Sequence, residues 1–252
     1  MVKRKKIELI IIVILVILYF VISIFISKFN VYRNTVFIGS STKVEVSDGN
    51  IKIYNKDDEI NKQDVKILFN DDFIDGYILT QPAESTDNGF SIVSYDNSGK
   101  MLLSESVLIA HTKDLSLNVK KTINNEIIIL DEINEFLIKN NIKVNSVDEL
   151  DYCNKVDIDT KESIYSLGLN ISDDTYKSIV FMKKENEFFM LSSLEDKYTD
   201  IENKKLIFSK LIDFNGDNNY EYVVLKSMSE YGPYYYDLYN FDGKEFTKIG
   251  DE

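Results

Sequence analysis

Cysteine, proline, tryptophan and histidine are all scarce in this chain of 252 residues, which holds one Cys, two Pro, no Trp and one His. A single cysteine, Cys153, forbids any intrachain disulfide. An exported part must therefore be held by its apolar core, and a region of this length buries enough surface to do so. The neighbours Asp151, Tyr152, Asn154 and Lys155 supply little of the basic surroundings that make a thiol reactive, so Cys153 is expected to be buried and inert. Every histidine-dependent scheme would have to use His111, at the end of the apolar run Val107–Ala110, and no spaced nucleophile or ligand set accompanies it. No G-x-S-x-G elbow, H-E-x-x-H helix, Walker loop or G-x-G-x-x-G turn occurs. The chain is expected not to be an enzyme. A hydrolase with a carboxylate pair stays open as the alternative, because any two of the 42 acids can be brought together by folding. The absence of Trp counts against a sugar-binding face.

Positive charge is also short, with 29 Lys and Arg against 42 Asp and Glu. It is concentrated at the start. Lys3, Arg4, Lys5 and Lys6 precede Ile7–Ile26, a run whose only charge is Glu8, and about 20 apolar residues suffice for a helix to cross a bilayer. The reading is a cytoplasmic tail at 1–6 and a transmembrane helix at 7–27, with the N-terminus cytoplasmic by the positive-inside bias. No A-x-A-like cleavage site follows, so the helix is expected to remain as an anchor. No cysteine stands where a lipoprotein signal needs one. Residues 31–252 hold 24 basic and 41 acidic side chains, a net of −17. That surface repels nucleic acid and suits solubility, cations and basic partners.

Residues 28–42 lack a clear period and read as a stalk. A mostly β pattern follows, divided into an N-terminal β unit at 43–144 and a C-terminal repeat pair at 145–252. Lys43–Val46 and Ile51–Tyr54 alternate around Asp48-Gly49, a strong hairpin signal. Further hairpins are expected over Phe90–Leu103, Ser178–Leu191 and Tyr236–Ile249, with a looser one over Leu117–Leu130. One amphipathic helix interrupts them near 131–141, where Ile133, Phe136 and Leu137 share a face. Tyr231, Tyr234, Tyr235, Tyr236 and Tyr239 fall at consecutive positions that point to opposite faces, so several must pack. The expected fold is mainly β, built of antiparallel, blade-like hairpin units with one short helix behind a single membrane span.

The stretch Asp213–Glu221, D-F-N-G-D-N-N-Y-E, carries the sharpest chemistry. Asp213, Asn215, Asp217 and Glu221 place oxygens at spaced odd positions, and the carbonyl of Asn219 fills the remaining one. Calcium takes six to eight oxygens, and a tight loop with alternate carboxylates can wrap them around one ion. An EF-hand is excluded, because its Gly and Glu positions hold Asn218 and Val224. The β-formers after Glu221 argue against a dockerin-type loop, which leads into a helix.

This stretch resembles the calcium loop of FG-GAP or VCBS-type repeats, integrin-alpha-like blades in which D-x-[DN]-G-D-G-x-x-[DE] leads into a strand. Asp213, Asn215, Gly216, Asp217 and Glu221 match that pattern, and Asn218 replaces its second glycine. The resemblance covers the loop and about 40 residues after it, and implies a structural Ca2+. Around Lys155–Ser166, Asp157, Asp159 and Glu162 line up with the same loop once about three residues are removed. That copy reads as a degenerate unit with too few oxygens for the ion. The expected function is a membrane-anchored extracytoplasmic binding protein that contacts a protein or cell-envelope polymer. A tethered envelope hydrolase and an accessory subunit of an envelope complex are the alternatives.

Overall fold

Strands of two kinds build the molecule: ones that alternate between buried and exposed residues, and ones, whatever their length, whose residues are buried on both faces. The computed structural model describes residues 32–250 apart from 40, 56–59, 71, 83–89, 103–107, 126–129, 145, 147–148, 173–174, 198–204 and 228–233. The predicted tail at 1–6 and membrane span at 7–27 lie outside the described residues, among which no helix is long and apolar enough to cross a membrane. Arg33–Glu252 forms one compact unit.

The first sheet contains β1 (Thr35–Ile38), β2 (Thr42–Ser47), β3 (Asn50–Asn55), β4 (Gln63–Phe69), β5 (Asp72–Pro82), β6 (Phe90–Asp96), β7 (Met101–Leu102) and β8 (Ile109–Thr112). Its eight strands run antiparallel in the order β3-β2-β1-β8-β4-β5-β6-β7. The β2–β3 turn has Asp48 at φ 50 and Gly49 at φ 79, the left-handed pair that a two-residue hairpin loop requires. Within 28–42, expected as a stalk, β1 is instead a central strand with all four residues buried. A strand covered on both faces shows a continuous apolar run and no alternation, which is why it carries no readable period.

After β9 (Asn118–Val119) and β10 (Ile123–Asn125) comes the helix α1 (Leu130–Lys139). Then follow β11 (Leu150–Asp157), β12 (Glu162–Ser172), β13 (Thr175–Lys184), β14 (Glu187–Lys197), β15 (Lys205–Asp213), β16 (Glu221–Ser227), β17 (Tyr234–Phe241) and β18 (Phe246–Ile249). The second sheet has the order β10-β11-β12-β13-β14 and the third β18-β17-β16-β15-β9. Of the looser hairpin expected over Leu117–Leu130, the described strands pair elsewhere, β9 with β15 and β10 with β11, and 126–129 lie outside the described residues. Two- and three-residue strands carry too few cross-strand pairs to hold a hairpin alone.

The third sheet is the middle layer. Ile212, Phe214, Val223 and Leu238 pack with Val36, Ile38, Val44 and Ile109 of the first sheet. Leu206, Phe208, Tyr222 and Val224 face the other way, onto Ile164, Val180 and Met182 of the second. The run Tyr222–Leu225 is apolar because both of its faces are covered. Hydroxyls complete the joints: Ser178 Oγ accepts from Leu206 N at 2.8 Å, Ser166 Oγ from Phe208 N at 3.0 Å, and Thr42 Oγ1 from Tyr236 N at 3.0 Å. These bonds help to satisfy buried backbone amides between the layers, and Leu206 N also donates to Tyr152 Oη at 3.3 Å.

The far face of the second sheet carries α1. Ile133, Phe136 and Leu137 meet Tyr165, Leu167, Ile179 and Phe181, and Phe136 stacks on Phe181. Burying each large side chain contributes about 1.5–3 kcal/mol. Glu132 fixes the helix in rotation, accepting from Lys155 Nζ at 2.8 Å and Tyr165 Oη at 2.9 Å.

Candidate functional site

The loop between β15 and β16 grows out of the middle layer. Asp213 and Phe214 are 0% and 1% exposed, and Glu221, which opens β16, is 2% exposed. Asn215 is half-buried, while Gly216, Asp217, Asn218 and Asn219 face solvent. The predicted ligand positions thus divide into a buried pair at the base, Asp213 and Glu221, and an outer rim of Asn215, Asp217 and Asn219.

Side-chain oxygens fold this loop onto its own amides. Asp213 Oδ1 accepts from Gly216 N at 2.7 Å and its Oδ2 from Asn218 N at 3.1 Å. Asn215 Oδ1 accepts from Asp217 N at 3.1 Å, and Asp217 Oδ1 from Asn219 N at 2.7 Å. Glu221 Oε2 accepts from Phe214 N at 3.1 Å. Such side-chain to backbone bonds are what Asp and Asn contribute to turns. Gly216 at φ 76 and Asn218 at φ 65 take the left-handed backbone that Gly and Asn adopt most readily.

Burial raises the Glu221 carboxyl to about 7, with the charges of Asp217 and Asp213 adding to the effect and the Phe214 amide opposing it. The Asn219 amide, first among several bonds, holds Asp217 below the usual carboxylate range. Each ionised carboxylate offers about four acceptor sites, so the amide bonds leave free lone pairs on Asp213 and Glu221. By chemistry this hard-oxygen set fits calcium. As placed, no group of three or more His, Cys, Asp or Glu among the described residues is gathered closely enough to hold a metal ion.

The second acidic loop is occupied differently. β11 ends on Asp157 and β12 opens on Glu162, and Asp159 Oδ1 accepts from Lys161 N at 2.8 Å and Glu162 N at 3.0 Å. Ser163 Oγ donates to Asp157 Oδ1 at 2.5 Å. Lys184, the cross-strand neighbour of Glu162, forms an ion pair with it. An opposite charge placed this closely does the work that a cation would otherwise do.

The Asp213–Glu221 loop opens onto a cleft of about 910 Å³, which also takes in the Glu162–Lys184 pair, Lys120, the β2–β3 turn at Gly49–Ile51 and the β17–β18 turn at Asn240–Asp242. The sequence reading missed Lys120, Lys184, Asn240, Phe241 and Asp242. Their arrival follows from strand register and sheet stacking, which no local motif encodes. Asn240, Phe241 and Asp242 fall within the hairpin expected over Tyr236–Ile249, which gave their turn but not their place in the cleft.

His111 is buried with Nδ1 2.8 Å from the Thr112 carbonyl oxygen, and Phe73 meets its ring edge-on at 4.6 Å. Burial lowers its pKa and keeps the imidazole neutral. Burial likewise pushes the Cys153 thiol up to about 12. Tyr236 and Tyr239 are buried, Tyr235 is half-buried and Tyr234 is exposed. Comparison with models of protein families, with curated proteins and with solved structures finds no match to this chain.

Proposed function

We propose that this chain is a membrane-anchored, extracytoplasmic binding protein whose middle sheet is built on a structural calcium loop at Asp213–Glu221. The observation that carries the reading is the pair of carboxylates, Asp213 and Glu221, held at 0% and 2% exposure at the base of a loop rimmed by further oxygens. Two buried acids in one loop repel each other, and a divalent cation removes both the repulsion and the desolvation cost. Asp213, Asn215, Asp217, the Asn219 carbonyl and Glu221 would hold the ion, which would neutralise the three carboxylates of the loop that joins β15 to β16. The anchor rests on the basic start and the apolar run at 7–27.

The FG-GAP or VCBS-like repeat reading draws support from matched boundaries. β11 ends on Asp157 and β12 begins on Glu162, just as β15 ends on Asp213 and β16 begins on Glu221. Ile158 and Phe214, the residues after the two aspartates, are 6% and 1% exposed.

The test is thermal unfolding of the full chain in detergent, first with chelator and then with millimolar calcium. A raised midpoint is expected, by the stabilisation of about 0.4–1.4 kcal/mol that a ligand gives at about one to ten times its dissociation constant. Asp217→Ala, at an exposed position, should fold normally and lose the rise. A midpoint indifferent to calcium overturns the reading.

One observation favours the hydrolase alternative: Glu162 and Glu221 line the same cleft, and a carboxyl with a raised pKa suits a general acid. Turnover of purified envelope polymer that Glu221→Gln abolishes would establish it. No turnover by the parent chain removes it.

A further inference from the structure

The first sheet is joined across one narrow seam. In the order β3-β2-β1-β8-β4-β5-β6-β7, the four-residue β8 is the link, among the described strands, between β1–β3 and β4–β7. It is registered on β4 by Val65 opposite Thr112, Lys66 opposite His111 and Ile67 opposite Ala110, whereas β4 pairs with β5 along its whole length from Gln63 to Phe69. The other side of β8 is held more firmly. Besides the register with Val36, Phe37 and Ile38, Thr35 N donates to Thr112 Oγ1 at 3.0 Å and Gly39 N to the Leu108 carbonyl at 2.8 Å. Val36, Ile38 and Val44 then pack on the middle layer. A repulsion across the seam would therefore part β4 from β8 and leave β8 on β1.

His111 stands in the middle of that seam, buried and directly opposite Lys66. An imidazolium there would face the Lys66 ammonium, and like charges directly opposite each other destabilise a strand pair. The surroundings offer it little compensation. β1 brings Val36 to its other side and no charge. β5 brings Phe73 against the ring and Asp75 opposite Lys66, but Asp75 is paired with Lys113 at 3.9 Å. Beyond the end of β8, Asp114 accepts from Asn34 N at 3.1 Å and lies near Arg33. The third sheet meets this side of the first with Ile212, Phe214, Val223 and Leu238, and with Tyr236, whose phenol burial pushes up to about 12 and so keeps neutral. Burial and, less strongly, the Lys66 charge hold His111 below its ordinary value of 6.5, against the opposing Thr112 carbonyl and Asp114. Because the folded pKa is the lower one, the contribution of this group is full above about 6.5 and is lost as pH falls through the folded value.

We propose that His111 and Lys66 make this seam an acid-operated latch, closed while the imidazole is neutral and opening between β8 and β4 once it carries a proton. Opening would bare Val65, Ile67 and Ala110, which are buried in the closed sheet. The latch lies in the first sheet and is independent of the calcium loop in the third.

The test is hydrogen exchange of the full chain in detergent, with chelator, read by mass spectrometry at pH ~7.5 and ~5 and corrected for the intrinsic exchange rate. Peptides covering β4 and β8 should lose protection by about tenfold on acidification, while those covering β12 and β13 keep theirs. His111→Gln, which cannot take up the proton, should lose the pH effect. Lys66→Met keeps the aliphatic stem at a half-buried position and removes the charge, so it should fold normally and weaken the effect. It decides the matter even where His111→Gln fails to fold. Equal protection of β4 and β8 at both pH values, loss of protection by all strands together, or an undiminished pH effect in either variant overturns the proposal.

Discussion

Replacing Glu221 by Gln should stabilise the chain without calcium and destroy its response to calcium. The carboxyl is 2% exposed, and its pKa rises from 4.5 to about 7, chiefly through burial. That shift amounts to about 3 kcal/mol against the ionised form in the folded state. Because the folded pKa lies above the unfolded one, this group's contribution is fully present below about 4.5 and is lost as pH rises through about 7. Gln has the same shape, still accepts from Phe214 N and carries no charge. In chelator at pH ~8 the variant should therefore exceed the parent by about 1–3 kcal/mol, or about 2–10 °C in midpoint for a domain of this size. At pH ~5 the two should converge. With millimolar calcium the gap should narrow by about 0.4–1.4 kcal/mol, as the parent gains the ion and the variant does not. The assay is circular-dichroism melting at both pH values in chelator, repeated with calcium. A variant less stable than the parent by the same margin at both pH values, in chelator, would refute the reasoning, since Glu221 would then be a structural hydrogen-bond acceptor and not a buried charge awaiting a cation.

Glu132 should behave with the opposite sign. Its hydrogen bond with Lys155, first among several causes, holds its carboxyl below the usual range, so its stabilisation is present above the unfolded pKa and is lost as pH falls through the folded one. Glu132→Gln should cost about 1–2 kcal/mol near neutrality, with the deficit closing in acid, as urea unfolding at two pH values will show. Gly76→Ala should destabilise by at least about 2 kcal/mol, because an added Cβ would lie 2.2 Å from the Tyr95 carbonyl oxygen, and denaturant midpoints measure it. Cys153 is half-buried, not buried as expected, and with its thiol pushed up to about 12 it should react with iodoacetamide at pH ~8 far more slowly than a free thiol; labelling of the native chain at the rate of a free thiol would contradict the raised pKa.

Much of the strand pattern was legible because it is local. The β2–β3 turn declared itself through Asp48-Gly49, the β17–β18 hairpin through the strand–turn–strand pattern of Tyr236–Ile249, and α1 through the spacing of Ile133, Phe136 and Leu137. Elements decided by distant partners were not legible. β1 reads as featureless because both of its faces are covered, and β9 and β10 exist only through pairing with β15 and β11. The loop showed the same division. Alternate oxygens from Asp213 to Glu221 stand out in the sequence, whereas the burial that separates Asp213 and Glu221 from Asn215, Asp217 and Asn219 comes from the first and second sheets closing over the third. Lys184 came to Glu162 through the β12–β13 register, and Lys120 reached the cleft because β9 joins β15. Neither has a sequence signal of its own.

The most direct test of the account is a calorimetric calcium titration of the full chain near neutral pH, beside Asp217→Ala. The account predicts saturable binding of one ion per chain in the range of extracellular modules, about 10⁻⁴ to 10⁻³ M, and its loss in the variant. Absence of saturable binding at millimolar calcium, or undiminished binding by Asp217→Ala, would contradict it and leave Asp213–Glu221 as a turn closed by its own amides.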